Sequence, residues 1–186
     1  MLFFQGMRTL RPILLALTAV AALSVAQPVK ANLITNPGFE TGNLSGWTLP
    51  IGFSVLGTTF GIAPHSGSFQ AFSGGFGVLG QSVATTVGQS YTVDFWAATT
   101  TSGTLSVLGG STVFNHLFAG PTGYTEFTFT FTAASASSAI QFTTGGIFLL
   151  DDISVTPTGV PDGGTTVSLL GCALLGLAGL RRRLGC

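Results

Sequence analysis

Tyr124-Thr125-Glu126-Phe127-Thr128-Phe129-Thr130-Phe131 is the stretch that decides the fold of this chain. Its phenylalanines at 127, 129 and 131 alternate with Glu126, Thr128 and Thr130. Because successive side chains of a β-strand point to opposite faces, this period of two predicts a half-buried strand in an antiparallel sheet. Residues 91–96 repeat the pattern, with Tyr91, Val93 and Phe95 on one face and Thr92, Asp94 and Trp96 on the other.

Residues 32–157 have the composition of an all-β domain. They are rich in Thr, Ser, Gly and Phe, and turn signals interrupt them about every ten residues. We interpret Gly74-Gly75 and Gly109-Gly110 as turns. About eight to ten short strands in this length predict an antiparallel β-sandwich around one core. The further strands are predicted at residues 69–72, 78–85, 105–108, 113–117, 140–143 and 147–155.

The charges of the 186-residue chain are unevenly distributed, although the formal net charge is zero. Residues 32–157 contain no Lys or Arg, so nucleic-acid binding, which needs cations against phosphate, is excluded for this domain. The same region contains no cysteine, which excludes disulfides within it. Its acidic residues are Glu40, Asp94, Glu126, Asp151 and Asp152.

The N-terminal residues have the order of a secretory signal peptide. Arg8 and Arg11 precede an apolar run over residues 13–25, and Val29-Lys30-Ala31 follows. We expect signal peptidase to cut after Ala31, which makes residues 1–31 a signal peptide. An uncleaved N-terminal anchor is the alternative, and either Met1 or Met7 could be the first residue.

The C-terminal residues combine a turn-forming motif, an apolar run and a basic cluster. The apolar run, residues 165–180, predicts a transmembrane helix of roughly 24 Å, which is short against a hydrocarbon core of about 30 Å. The basic tail, residues 181–186, should stay in the cytoplasm, so the domain before it should lie outside. Residues 158–164 are then a linker and a sorting motif. Its residues are Val160, Pro161, Asp162, Gly163 and Gly164, and the basic cluster is Arg181, Arg182 and Arg183.

This tail resembles the PEP-CTERM sorting signals, in their variant with a Val-Pro-Asp-Ser/Gly-Gly motif. The resemblance implies that an exosortase-type enzyme recognises and cuts the tail. The protein would then be anchored transiently in the membrane before it reaches the cell surface or the extracellular matrix. A plain C-terminal membrane anchor is the alternative interpretation.

A second resemblance covers the domain. Asn32-Leu33-Ile34-Thr35-Asn36-Pro37-Gly38-Phe39-Glu40 and Gly46-Trp47 open it, and Ala63-Pro64-His65-Ser66-Gly67-Ser68 follows. Gly88-Gln89-Ser90-Tyr91-Thr92-Val93-Asp94-Phe95-Trp96 and Leu150-Asp151-Asp152-Ile153-Ser154-Val155 come later. In this order the motifs resemble a galactose-binding-like jelly roll of the carbohydrate-binding-module type.

The second resemblance implies a structural calcium ion, held by Glu40, the loop at Ser66 and Ser68, and Asp151 or Asp152. Ca²⁺ takes six to eight hard oxygen ligands, so such a set is chemically suitable. Alternation predicts that Asp151 points inward with Ile153 and Val155, and burying it unpaired would be costly. A carboxylate capped by backbone amides or water is the alternative.

A sugar-binding face is predicted from aromatic and polar residues, because such sites combine a flat ring with hydrogen-bonding groups. Alternatively, Trp96 packs beneath a loop and the polar residues meet solvent. Trp47 is expected in the core. The candidate residues are Asp94, Trp96, Tyr124, Glu126 and Gln141, with Asn115 as a further amide.

Catalysis has little support in the sequence. His65 and His116 are the only histidines, and Glu126 has no carboxylate partner at a suitable spacing. We therefore predict a non-catalytic exported protein of the cell surface or extracellular matrix. The alternative is a carbohydrate-binding module that recognises an extracellular polysaccharide.

Overall fold

The computed structural model describes residues 31–159, which form an all-β domain. Apart from Ala31, the predicted signal peptide lies outside these residues, and so do the sorting motif, the predicted membrane helix and the basic tail. No helix within 31–159 is long and apolar enough to cross a membrane. The seven strands are β1 (Thr48–Leu56), β2 (Gln70–Ala84), β3 (Ser90–Thr99), β4 (Gly103–Gly109), β5 (Thr112–Phe118), β6 (Thr122–Thr132) and β7 (Ser137–Pro157).

The longest strand, β7, organises the sandwich. Along one side it pairs antiparallel with β2, and β1 continues the sheet beyond β2. Along its other side it pairs first with β4, as far as Gly145, and then with β3, from Phe148 onward. β5 extends the β4 arm and β6 extends the β3 arm. The two arms therefore separate at Gly145-Gly146.

The core lies between these two arms. Phe95 of β3 contacts Phe142 of β7 edge to face, with ring centroids 5.2 Å apart. Phe118 of β5 meets Phe127 of β6 in the same way, at 5.7 Å. Apolar side chains from both arms thus bury one another, as the hydrophobic effect requires of two sheet faces. The antiparallel sandwich predicted from the sequence is confirmed.

The inward orientation of the phenylalanines on β6 is also confirmed. Phe131 is buried, and Phe127 and Phe129 pack against the core cluster. Trp47 is a core residue, as expected. Its ring stacks on Phe39 at 5.5 Å, and its Nε1–H donates to the carbonyl of Asn36 at 3.1 Å.

The strand count and one turn differ from prediction. There are seven strands rather than eight to ten, because β2 and β7 each run continuously through two predicted strands, and β1 was not predicted. Gly74-Gly75 lies inside β2, opposite Gly146 and Ile147, and is not a turn. A Cβ at the nearby Gly77 would come within 2.6 Å of Ser73 Oγ, so close packing requires glycine in this part of the strand.

Candidate functional site

A β-bulge in β7 shapes the region around the Asp151-Asp152 motif. Asp94 pairs with Ser154 and Trp96 pairs with Asp151, so one residue of β3 lies opposite two residues of β7. Asp152, at the bulge, has a φ of 48°. The extra residue places Asp151 on the outer face with Trp96, since directly paired residues share a face. The prediction that Asp151 points to the core with Ile153 and Val155 is therefore wrong.

The loop containing His65 and Ser66 covers both aspartates. Asp151, which is fully buried, accepts the backbone N–H of Ser66 at 3.2 Å and that of Asp152 at 2.8 Å. Asp152 accepts the Ser66 hydroxyl at 2.7 Å, and its Oδ2 lies 2.6 Å from His65 Nδ1. The two carboxylates therefore tie this loop to the bulge.

Glu40 holds the next residues of the same loop. Its carboxylate accepts the backbone N–H of Ser68 at 3.0 Å and that of Phe69 at 3.1 Å. Gly67 has a φ of 59°, and a Cβ there would lie 2.3 Å from the Glu40 carboxyl carbon. Only glycine combines that backbone conformation with so close a carboxylate. We call Glu40, Asp151 and Asp152 the carboxylate cluster.

Burial makes the ionised form of Asp151 electrostatically unfavourable. It raises the pKa of Asp151 from 3.8 to about 6, against the opposing effect of the N–H groups of Ser66 and Asp152. Burial, together with the charges of Asp151 and Asp152, also raises the pKa of the Tyr124 hydroxyl far above its usual range. The described part of the chain has no Lys or Arg to offset these charges.

The donor set of this cluster suits calcium only in part. Its oxygens are hard ligands, and a carboxylate that accepts one or two hydrogen bonds keeps further lone pairs. However, Glu40 and Asp151 accept backbone N–H groups, as the alternative of carboxylates capped by backbone amides predicts. The Ser66 hydroxyl donates to Asp152. Within residues 31–159, no group of three His, Cys, Asp or Glu side chains is arranged to hold a metal ion. Calcium binding therefore stays a prediction.

The predicted sugar-binding residues fall on two different faces. Trp96 is half-buried and stacks on the His65 ring, with centroids 3.8 Å apart and planes 15° apart. Tyr124 meets the same imidazole edge-on at 5.6 Å. Glu126 is exposed beside Trp96, and Asp94 accepts the Ser154 hydroxyl at 3.3 Å.

Gln141 lies apart from them, on the outer face of the arm formed with β4. It pairs with Leu108, and the other amide candidate, Asn115, pairs with Ser106 on the same arm. The structure thus brings Trp96 and Tyr124 together around His65 but leaves both amides elsewhere. Because His65 already occupies one face of Trp96, that face is closed to a sugar.

An open cleft of about 330 Å³ was not anticipated from the sequence. Phe60 and Ile62 form one lining segment, and residues 121–123, at the start of β6, form another. Thr99 and Thr100, at the end of β3, complete the lining. The lining therefore consists of apolar residues, Gly123 and three threonines, with no charged residue. The hydroxyl of Thr99 is buried and hydrogen-bonds the carbonyls of Thr101 and Ile147.

Phe60 occupies the tip of a two-residue turn beside this cleft. Thr59 and Ile62 exchange backbone hydrogen bonds of 3.1 and 2.8 Å. Between them, Phe60 and Gly61 have φ values of 50° and 75°, as in a type I′ turn. A bulky residue with positive φ is strained, and Phe60 is also 60% exposed. Phe-Gly between β-branched residues was the only available sequence signal.

The tail of the chain matches a motif of known proteins. Residues 159–184 match the VPDSG-CTERM motif. Gly163 stands where the name of the motif has serine. The sorting signal predicted from the sequence is confirmed, and the chain carries a VPDSG-CTERM tail.

The domain that precedes the VPDSG-CTERM tail is similar in fold to solved structures. TmCBM61, solved in complex with β-1,4-galactotriose, matches with a TM-score of 0.56 and 20% identity, over 68% of this chain and 99% of that one. The K3 cleaved adhesin domain of Lys-gingipain from Porphyromonas gingivalis matches with a TM-score of 0.50 and 16% identity, over 68% and 98%. The likeness to TmCBM61 confirms the predicted carbohydrate-binding-module-like fold, and the adhesin domain shares that fold.

A curated relative shares part of the sequence. Endo-1,4-beta-xylanase A of Thermoanaerobacterium saccharolyticum is 38% identical over 74 residues, which is 35% of this chain. The chain spans only 6% of the length of that xylanase. The similarity therefore concerns a small segment of a much longer protein.

Proposed function

We propose that this chain is an exported, non-catalytic carbohydrate-binding protein whose jelly-roll domain binds a neutral polysaccharide in the Phe60 cleft. The observation that carries the proposal is an exposed aromatic ring, held in a strained turn, beside an uncharged cleft lined with threonines. The galactotriose bound by TmCBM61 and the name of the xylanase support a β-linked glycan as the ligand class.

The chemistry of the cleft suits a pyranose ring, which combines an apolar C–H face with polar hydroxyl groups. The C–H face of a sugar packs on an aromatic ring, and its hydroxyls pair with polar groups, here the hydroxyls of Thr100 and Thr122. Residues 31–159 carry five acidic residues and no Lys or Arg, so a polyuronate or sulfated glycan would be repelled. We therefore expect neutral chains to bind and added salt to have little effect.

Phe60→Asn tests the position of the site. We expect affinity for a neutral β-1,4-galactan or xylan to fall about tenfold or more, since a stacked aromatic contributes about 1 kcal/mol beyond its buried area. The melting temperature should stay equal or rise, because Asn tolerates positive φ better than Phe. Affinity electrophoresis and calorimetry measure the two quantities.

Phe76→Asn is the matched control, because Phe76 is 68% exposed on β2, outside the cleft lining. It should leave glycan affinity unchanged. Equal losses for Phe60→Asn and Phe76→Asn would mean nonspecific adsorption. Unchanged binding by Phe60→Asn would place the site elsewhere.

For the tail, we propose the route that its motif suggests. Signal peptidase would remove residues 1–31, and residues 165–180 would anchor the exported protein transiently in the membrane. An exosortase-type enzyme would then cut near residues 160–164 and release the domain to the cell surface or matrix. The support for this route is the VPDSG-CTERM match together with the order of motif, apolar run and arginines.

Replacing Arg181, Arg182 and Arg183 by glutamine tests this route. We expect the unprocessed precursor to accumulate and membrane retention to fall, because the arginines hold the tail on the cytoplasmic side. Intact mass of the membrane, surface and medium fractions reports processing at both ends. Processing at the wild-type rate would contradict a sorting role for the arginines.

We also propose a structural calcium ion at the carboxylate cluster, with Glu40 and Asp151 as principal ligands and Asp152 as an alternative. The support is a fully buried carboxylate with no cationic side chain in the described domain. When bound, the ion would supply the positive charge that offsets the buried carboxylate. Loop residues Ser66 and Ser68 would then be fixed by the ion as well as by hydrogen bonds.

A further inference from the structure

Gln70, the first residue of β2, is a fully buried polar side chain whose hydrogen bonds all go to the surroundings of the cleft. Its Nε2 donates to the carbonyl of Gly57 at 2.7 Å and to that of Ile62 at 3.1 Å. Its Oε1 accepts the hydroxyl of Tyr124 at 2.5 Å. Both donors of the amide and its acceptor are therefore used.

These partners adjoin or belong to the two lining segments of the cleft. Gly57 and Ile62 bracket the turn that presents Phe60, so their carbonyls fix both ends of that segment. Tyr124 directly follows residues 121–123, the second lining segment. One buried amide thus links both ends of the Phe60 turn to the residue that follows the second lining segment.

We infer that Gln70, together with Tyr124, is a positioning residue that holds the two lining segments of the cleft in binding geometry. The inference rests on the proposed function of the cleft. A strained turn persists only where its surroundings hold it, and Phe60 at φ 50° is such a case. A turn already held in place loses less conformational freedom when a ligand binds, which favours affinity.

The hydroxyl of Tyr124 is suited to this role. Burial beside Asp151 and Asp152 keeps its pKa far above neutral, so it stays protonated and donates to Gln70. Its ring also contacts His65 edge-on. Tyr124→Phe keeps this ring and removes only the donor, which makes it the least disruptive test variant.

Gln81 provides a matched control on the same strand. It too is buried, and it too binds a loop backbone, accepting the N–H of Thr35 at 2.7 Å and donating to its carbonyl at 3.1 Å. Thr35 lies in the N-terminal segment and does not line the cleft. Gln81→Met therefore reports what losing such a side chain does to stability alone.

The experiment compares Gln70→Met, Tyr124→Phe and Gln81→Met by two measurements below the melting temperature of each variant. Amide exchange is followed at Thr59 and Ile62, whose N–H groups close the turn. Affinity is measured for the same neutral galactan and xylan. For Gln70→Met and Tyr124→Phe we expect about tenfold faster exchange and about tenfold weaker binding. Gln81→Met should lower the melting temperature but change neither quantity.

Unchanged exchange at Thr59 and Ile62 in both cleft variants would overturn the positioning role. Equal effects from Gln81→Met would overturn it as well, by showing general destabilisation. If the wild type binds no glycan, the proposed function fails, and the exchange rates still decide whether Gln70 holds the turn. If Gln70→Met does not fold, amide exchange and glycan affinity of Tyr124→Phe test the positioning role instead.

Discussion

Metal-free protein is expected to lose stability as the pH rises from about 4 to about 6. Burial raises the pKa of Asp151 from 3.8 to about 6, so the folded state keeps a proton that the unfolded state has already released. The stabilisation is complete below pH 4 and is lost as the pH passes through 6. Two pK units correspond to about 3 kcal/mol. Urea unfolding in chelator at pH 4.5 and 7 should show about 2 kcal/mol of this difference.

Calcium should reverse this loss at pH 7. An ion at about 100 times its dissociation constant adds about 2.7 kcal/mol to a folded state that alone binds it. At pH 4.5 the increment should be small, because a protonated Asp151 is a poor ligand. Asp151→Asn should abolish both the pH slope and the calcium increment, while Asp94→Asn should keep both. Equal melting temperatures in millimolar calcium and in chelator at pH 7 would exclude a structural site.

Trp96→Ala is expected to lower the free energy of unfolding by about 3 kcal/mol. Its ring stacks on His65 at 3.8 Å, and His65 is in turn held by Asp152 at 2.6 Å. Removing the indole therefore leaves a void beneath the loop and frees the imidazole. Chemical unfolding followed by circular dichroism measures the loss.

Glycan affinity separates this structural role from a sugar-binding one. Trp96→Phe keeps a flat ring against His65 and should recover most of the lost stability. Both Trp96 variants should bind glycan within about twofold of the wild type while folded. Abolished binding with an unchanged melting temperature would instead make Trp96 the stacking platform.

Local patterns in the sequence were sufficient for the class of fold and for the tail. Phe127, Phe129 and Phe131 alternate with polar residues, and side-chain direction along a strand follows directly from that period. The tail motif, residues 160–164, is contiguous and depends on no distant contact. The absence of Lys and Arg between residues 32 and 157 is a property of composition, and it still limits the expected ligands.

Only the tertiary structure decided where the functional groups lie. The bulge at Asp152 turned Asp151 to the outer face, and a shift of one residue reverses every assignment based on alternation. The role of Gln70 depends on Tyr124, which is 54 residues away, and the strained Phe60 turn depends on Gln70. Sequence determines period and composition because these are local. It leaves register and such long-range hydrogen bonds undetermined, because many pairings satisfy the same local pattern and only the packed core selects one.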